Sequence, residues 1–191
     1  MAKTKSGKYW VDWANEHAQT SASVVDLAPP FKGRVEAFIE ALEAAGATVH
    51  IEATRRDPRR AYLFHWSWRI GLGKAKPSEA KPMAGVEIEW DHGSDAASRE
   101  GAMEIVRGFN LAIPPRSNVP PALHSHHLAG TAIDMDIAWN GILRVKLKNG
   151  REQTVPWMSD PNKNIKLHKV GASYGVRKLA TDAPHWSSTG H

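Results

Sequence analysis

Stretches of helical and of extended periodicity follow one another irregularly along this chain, which is not the strand–helix alternation that winds a parallel sheet. Pro29 and Pro30 open a helical pattern in which Val35, Phe38, Ile39 and Leu42 recur at three- and four-residue spacing, and Gly46 stops it. Residues 47–53 (ATVHIEA) alternate and carry β-branched side chains, as strands do. Asp57-Pro58 suits the start of a second helix with Gly71 near its end; residues 94–109 and 162–174 also read as helices. Residues 131–139 read as a strand. Residues 142–147 and 153–157 flank Asn149-Gly150, a strong hairpin signal, and a short strand falls near 176–179. The expected fold is α+β: a small, mostly antiparallel sheet with helices packed around it.

A chain of 191 residues predicts one domain. Residues 1–25, polar apart from Tyr9, Trp10 and Trp13, read as an N-terminal arm or short helix packed on a body formed by residues 26–191. Residues 74–93 turn rich in Pro, Lys and Glu and read as a loop insertion, with one extended piece at 86–90; a lid and a plain surface loop both fit. The chain has no cysteine, which excludes disulfide scaffolds, zinc ribbons and thiol nucleophiles. Any metal must be held by His, Asp or Glu, and there are 10 His. The formal charge of +5 draws a protein toward polyanions, but nucleic acid, anionic lipid and bacterial cell wall all qualify. No apolar run follows the basic opening, so no secretory signal is expected. No stretch approaches the ~20 apolar residues of a membrane span, so no membrane anchor is expected. A monomer made in the cytoplasm is the default.

The segment that carries chemistry is Ser125-His126-His127-Leu128-Ala129-Gly130-Thr131-Ala132-Ile133-Asp134. A strand over 131–137 points Asp134 and Asp136 to one face and Ile133 and Met135 to the other. Gly130 permits a bend that folds His127 back toward Asp134. One imidazole and one carboxylate are two of the three protein ligands of a catalytic zinc site. His185, in Asp182-Ala183-Pro184-His185-Trp186, is the best third ligand, and Asp182 is placed to act as general base. Taken singly, each residue has an ordinary alternative: His124, His126 and His127 as a solvated loop, His185 as packing beside Trp186.

Together these residues resemble the zinc peptidases of the D-alanyl-D-alanine carboxypeptidase group, which includes VanY/VanX-type enzymes and the L-alanyl-D-glutamate peptidases of phage endolysins. The motif Ser-x-His-x-x-Gly-x-Ala-x-Asp is matched at Ser125, His127, Gly130, Ala132 and Asp134, and a later acid-x-x-His at Asp182 and His185. The resemblance implies a Hedgehog/DD-peptidase-like fold, with Zn²⁺ bound by His127, Asp134 and His185 and Asp182 as the catalytic acid/base. It also implies an arginine after the first strand that holds a substrate carboxylate or carbonyl, which maps to Arg55 with Arg56 the alternative. Ser125 would contact polar groups of the substrate, and Asp136 is either a support for a ligand imidazole or a surface aspartate. The base is commonly Glu in that group, whereas Asp182 is one methylene shorter.

The implied activity is hydrolysis of peptidoglycan stem peptides, with an endolysin-type L-alanyl-D-glutamate endopeptidase preferred over a D-Ala-D-Ala carboxypeptidase. Such an enzyme reaches the wall from the cytoplasm after phage-mediated release. Two other classes stand beside it. One is a zinc-bearing wall-binding domain without catalysis. The other is a basic nucleic-acid binder that would use exposed aromatics such as Trp66 and Trp68; packing the tryptophans in the core is the simpler reading, so nucleic acid is not an expected partner.

Overall fold

The computed structural model describes residues 3–191. In chain order the elements are β1 (Thr4–Lys5), α1 (Lys8–His17), α2 (Phe31–Ala44), β2 (Thr48–Ala53), α3 (Pro58–Gly71), β3 (Ile88–Glu89), α4 (Asp95–Gly108), β4 (Ala132–Ala138), β5 (Ile142–Lys146), β6 (Glu152–Pro156), α5 (Ile165–Tyr174), β7 (Arg177–Lys178) and β8 (His185–Ser187). Every sheet pairing but one is antiparallel, so the α+β expectation holds at the level of class.

The chain divides into two compact units, one of residues 1–19 and 56–124, the other of residues 20–55 and 125–191. In the first, α1, α3 and α4 share a core. Trp10, Val11 and Ala14 of α1 are buried, as are Leu63, Trp66 and Ile70 of α3 and Ala102 and Ile105 of α4. The opening residues therefore include a packed helix. Asp57 caps α3 by accepting the Arg59 amide, with Pro58 in the first turn, where its missing N–H costs nothing. Residues 74–93 contribute to the same core: Val86, Ile88 and Trp90 are buried, Trp90 Nε1 donates to Tyr62 Oη at 3.2 Å, and β3 pairs in parallel with β1. Trp66 and Trp68 are buried, so they form no exposed aromatic platform.

The second unit is built on a four-stranded antiparallel sheet in the order β2-β4-β8-β7, beside the separate hairpin β5-β6. Gly150 takes φ 82 at the hairpin turn, as the Asn149-Gly150 pair predicts. Ile133, Met135 and Ile137 of β4 enter a core with Phe31, Val35, Phe38 and Leu42 of α2, Leu143, Val145 and Val155 of the hairpin, and Trp186 of β8. Each such aliphatic burial is worth roughly 1.5–3 kcal/mol. Gly171 of α5 allows Trp186 to pack closely, since a Cβ there would lie 2.6 Å from its ring. This packing fixes the strand that carries His185. Among the described residues no helix is long and apolar enough to cross a membrane.

Candidate metal centre

Alternation along β4 sends Ile133, Met135 and Ile137 into the core, which leaves Asp134 and Asp136 on the opposite face. β8 lies antiparallel to β4 with His185 opposite Asp134 and Trp186 opposite Ile133. Directly opposed residues share a face, with Cβ atoms about 4.5–5.5 Å apart. Register alone thus brings an imidazole to a carboxylate, and His185 Nδ1 lies 3.0 Å from Asp134 Oδ1. On the other side of β4, Ala53 of β2 faces Asp134 across an irregularity between Ile51 and Ala53.

His127 arrives on a turn. The Leu128 and Ala129 amides donate to the Ser125 carbonyl, the Gly130 amide to His127 and the Thr131 amide to His126. Gly130 has φ +68, and a Cβ there would lie 3.0 Å from the Ala28 nitrogen, so glycine satisfies both the bend and the close approach. The turn sets His127 Nε2 at 3.2 Å from Asp134 Oδ1 and 3.2 Å from His185 Nδ1.

The other ring nitrogens fix the tautomers. His127 Nδ1 lies 2.6 Å from the Thr54 carbonyl, which can only accept, so Nδ1 carries the hydrogen and Nε2 keeps its lone pair. Thr54 is itself held firmly: its amide donates to the Ser21 carbonyl, and its hydroxyl lies within hydrogen-bond distance of the Ser21 and Ser23 carbonyls. His185 Nε2 lies 3.4 Å from the His191 carbonyl; with its hydrogen on Nε2, the Nδ1 lone pair faces the same point. Two lone-pair nitrogens and a carboxylate oxygen therefore converge in a triangle with sides of 3.0, 3.2 and 3.2 Å. A tetrahedral ion with ligand bonds of about 2.0–2.1 Å spaces its ligands about 3.3 Å apart, close to these sides. Without a cation among them the three lone pairs repel. His127, Asp134 and His185 could hold a metal ion, and among the described residues they are the one such group. Burial opposes ionisation of Asp134; when His127 and His185 are protonated rather than bound to a metal, their hydrogen bonds and positive charge outweigh it and hold the carboxyl well below the usual carboxylate range.

The remaining sequence-predicted residues lie around this group without joining it. Asp182 is exposed at the start of the turn that leads to His185; its carbonyl accepts the His185 amide, and its carboxylate makes no hydrogen bond. Ser125 Oγ is buried without a hydrogen-bond partner in the turn that carries His127. Arg55 directly follows Thr54, with an exposed side chain. Asp136 is exposed opposite His50 and supports no imidazole; the Thr54 carbonyl does that instead. Sequence reasoning missed Thr54 because a backbone carbonyl has no side-chain signature. It also missed Lys178, whose ammonium donates to the carbonyls of Leu179, Asp182 and His185. Burial pulls the Lys178 pKa below the ordinary lysine value, against the opposing charges of Asp182, Asp134 and Asp160.

Fold and site together define an α+β protein with a buried His/Asp/His group suited to a metal ion. No protein-family model matches the chain, and no curated protein matches it.

Proposed function

We propose that this protein is a zinc-dependent peptidoglycan peptidase that cuts stem peptides as an L-alanyl-D-glutamate endopeptidase. The observation that carries the reading is the convergence of His127 Nε2, Asp134 Oδ1 and His185 Nδ1 within 3.0–3.2 Å of one another. They belong to the two motifs in which the sequence resembles the D-alanyl-D-alanine carboxypeptidase group. Three protein ligands of the His/His/carboxylate type suit a catalytic zinc, which leaves a coordination position for water or substrate. When bound there, zinc supplies Lewis acidity toward a peptide carbonyl and makes water a nucleophile at neutral pH.

The chain's own groups divide the rest of the work. Asp182, with a free and exposed carboxylate, takes the proton of the attacking water and returns it to the leaving amine. The planar guanidinium of Arg55 suits two-point binding of a stem-peptide carboxylate. The unpartnered Ser125 Oγ offers a hydrogen bond to a substrate polar group. The Thr54 carbonyl holds His127 in the tautomer that a metal ligand needs.

The test is mass spectrometry of purified muropeptides incubated with the zinc-loaded protein, beside a chelated control. A chelator-sensitive product with new termini at L-Ala and D-Glu is the expected result. Loss of a terminal D-Ala would reassign the protein as a carboxypeptidase. That the Asp182 carboxylate is not one of the converging groups favours one second reading, a zinc-bearing wall-binding domain without turnover. Zinc binding with retention on sacculi and no product would establish that reading.

A further inference from the structure

The segment that delivers His185 also carries Asp182, and the Asp182 side chain makes no hydrogen bond that would fix it. Its position follows from the backbone of residues 179–185 alone. That backbone is closed by the Leu179 amide, which donates to the His185 carbonyl at 3.0 Å, and is tied to β4 where the Pro184 carbonyl accepts the Met135 amide at 3.0 Å. The Asp182 amide reaches the Leu179 carbonyl at 3.2 Å, the His185 amide reaches the Asp182 carbonyl at 3.2 Å, and Pro184 has no N–H to give. Each of the three carbonyls of this loop already accepts one amide, and the Lys178 ammonium gives all three a second donor: Nζ lies 2.7 Å from the Leu179 carbonyl, 2.5 Å from that of Asp182 and 3.1 Å from that of His185. An ammonium has three hydrogens and no lone pair, so all of its donors are committed to this one turn. Nζ also stands 5.7 Å from the centroid of the Trp186 ring, in the range of a cation–π contact. A surface lysine normally keeps its charged head in water. Lys178 is half-buried, and its head is turned onto a ring of carbonyls as a bound cation would be.

We infer that Lys178 is a positioning residue of the metal centre, its ammonium clamping residues 179–185 so that the His185 ligand and the Asp182 carboxylate are presented together. The inference rests on the zinc peptidase reading for its purpose, but the clamp itself does not. Register with β4 fixes His185 from one side, and the ammonium fixes the turn from the other. Arginine is no substitute, because a planar fork cannot direct three donors to carbonyls that surround a point.

Two variants test this. Lys178→Met keeps the apolar stem and removes the donors. Lys178→Ala leaves room for n-propylammonium, which restores the missing atoms if it is present during purification. Amide hydrogen exchange at Leu179, Asp182 and His185 is read in the metal-free protein, and zinc affinity is read by competition with a chromophoric chelator. Exchange is expected to speed at least tenfold in both variants, and zinc affinity to fall by about 10–100-fold, the usual effect of losing a group that orients a metal ligand. Propylammonium should reverse both changes in Lys178→Ala and neither in Lys178→Met. Unchanged exchange would overturn the clamp; faster exchange with wild-type zinc affinity would overturn the positioning role. Failure of the unaltered protein to bind zinc is a different result. It would remove the metal reading while exchange still decided the clamp.

Discussion

His127 shows how much a single backbone atom decides. Its Nδ1 is committed to the Thr54 carbonyl, so Nε2 faces Asp134 and His185 with a lone pair. The carboxylate between the two rings supplies the negative charge of the set. Asp134→Asn, which preserves shape and removes that charge, should abolish stoichiometric zinc in the purified protein, measured by inductively coupled plasma mass spectrometry. Asp182→Ala should do the reverse. Zinc content stays at the wild-type level while muropeptide turnover falls by about 10²–10⁴-fold, the usual worth of a general acid–base; undiminished turnover would remove Asp182 from the reaction. The three converging side chains were legible in the sequence because imidazoles and carboxylates at set spacings leave a pattern. Thr54 and Lys178 were not. One acts through its carbonyl and the other on carbonyls, and neither use constrains neighbouring residue types.

Elements long enough to show a period were read well; of the short ones, β3 and β7 fall where an extended piece and a short strand were expected, and β8 was missed. The helical patterns opening after Pro29-Pro30 and at Asp57-Pro58 became α2 and α3, and the alternation of residues 131–139 became β4. β8, only three residues long, has no period to detect, and its strand character comes from pairing with β4 and β7. The start of α3 offers a test at this scale. Burial disfavours the Asp57 carboxylate, but bonds from the Arg59 side chain and amide lower its pKa on balance. A folded-state value below the unfolded one means that ionised Asp57 stabilises the protein above the ordinary carboxylate range. That contribution is lost as the pH falls through the folded value. Asp57→Ala should therefore cost about 1 kcal/mol near neutrality, the worth of an N-cap. The gap from wild type should close under acid, as followed by denaturant unfolding across a pH series.

At the scale of the whole molecule, the chain is distributed over two compact units. It passes between them at residues 19–20, 55–56 and 124–125. Length and composition carry no trace of such a division, because both units draw on discontinuous stretches. All three metal-suited residues belong to one unit. A ligand that binds only the folded form stabilises it by about 2.7 kcal/mol at a hundredfold excess over Kd. Zinc should accordingly raise the melting temperature by several degrees, and a chelator should reverse the rise, with differential scanning calorimetry as the measurement.

The pairing of β4 with β8 has a consequence for how the protein comes into being. The ribosome releases His127 and Asp134 some fifty residues before His185, which lies in the last of the described strands. Chains grow at about 5–20 residues per second, so an incomplete pair of ligands stands exposed for a few seconds in every newborn molecule. A metal that needs all three residues could be held only once synthesis has passed Ser187. A fragment produced by stalling before that point holds two of the three residues and lacks the strand that brings the third.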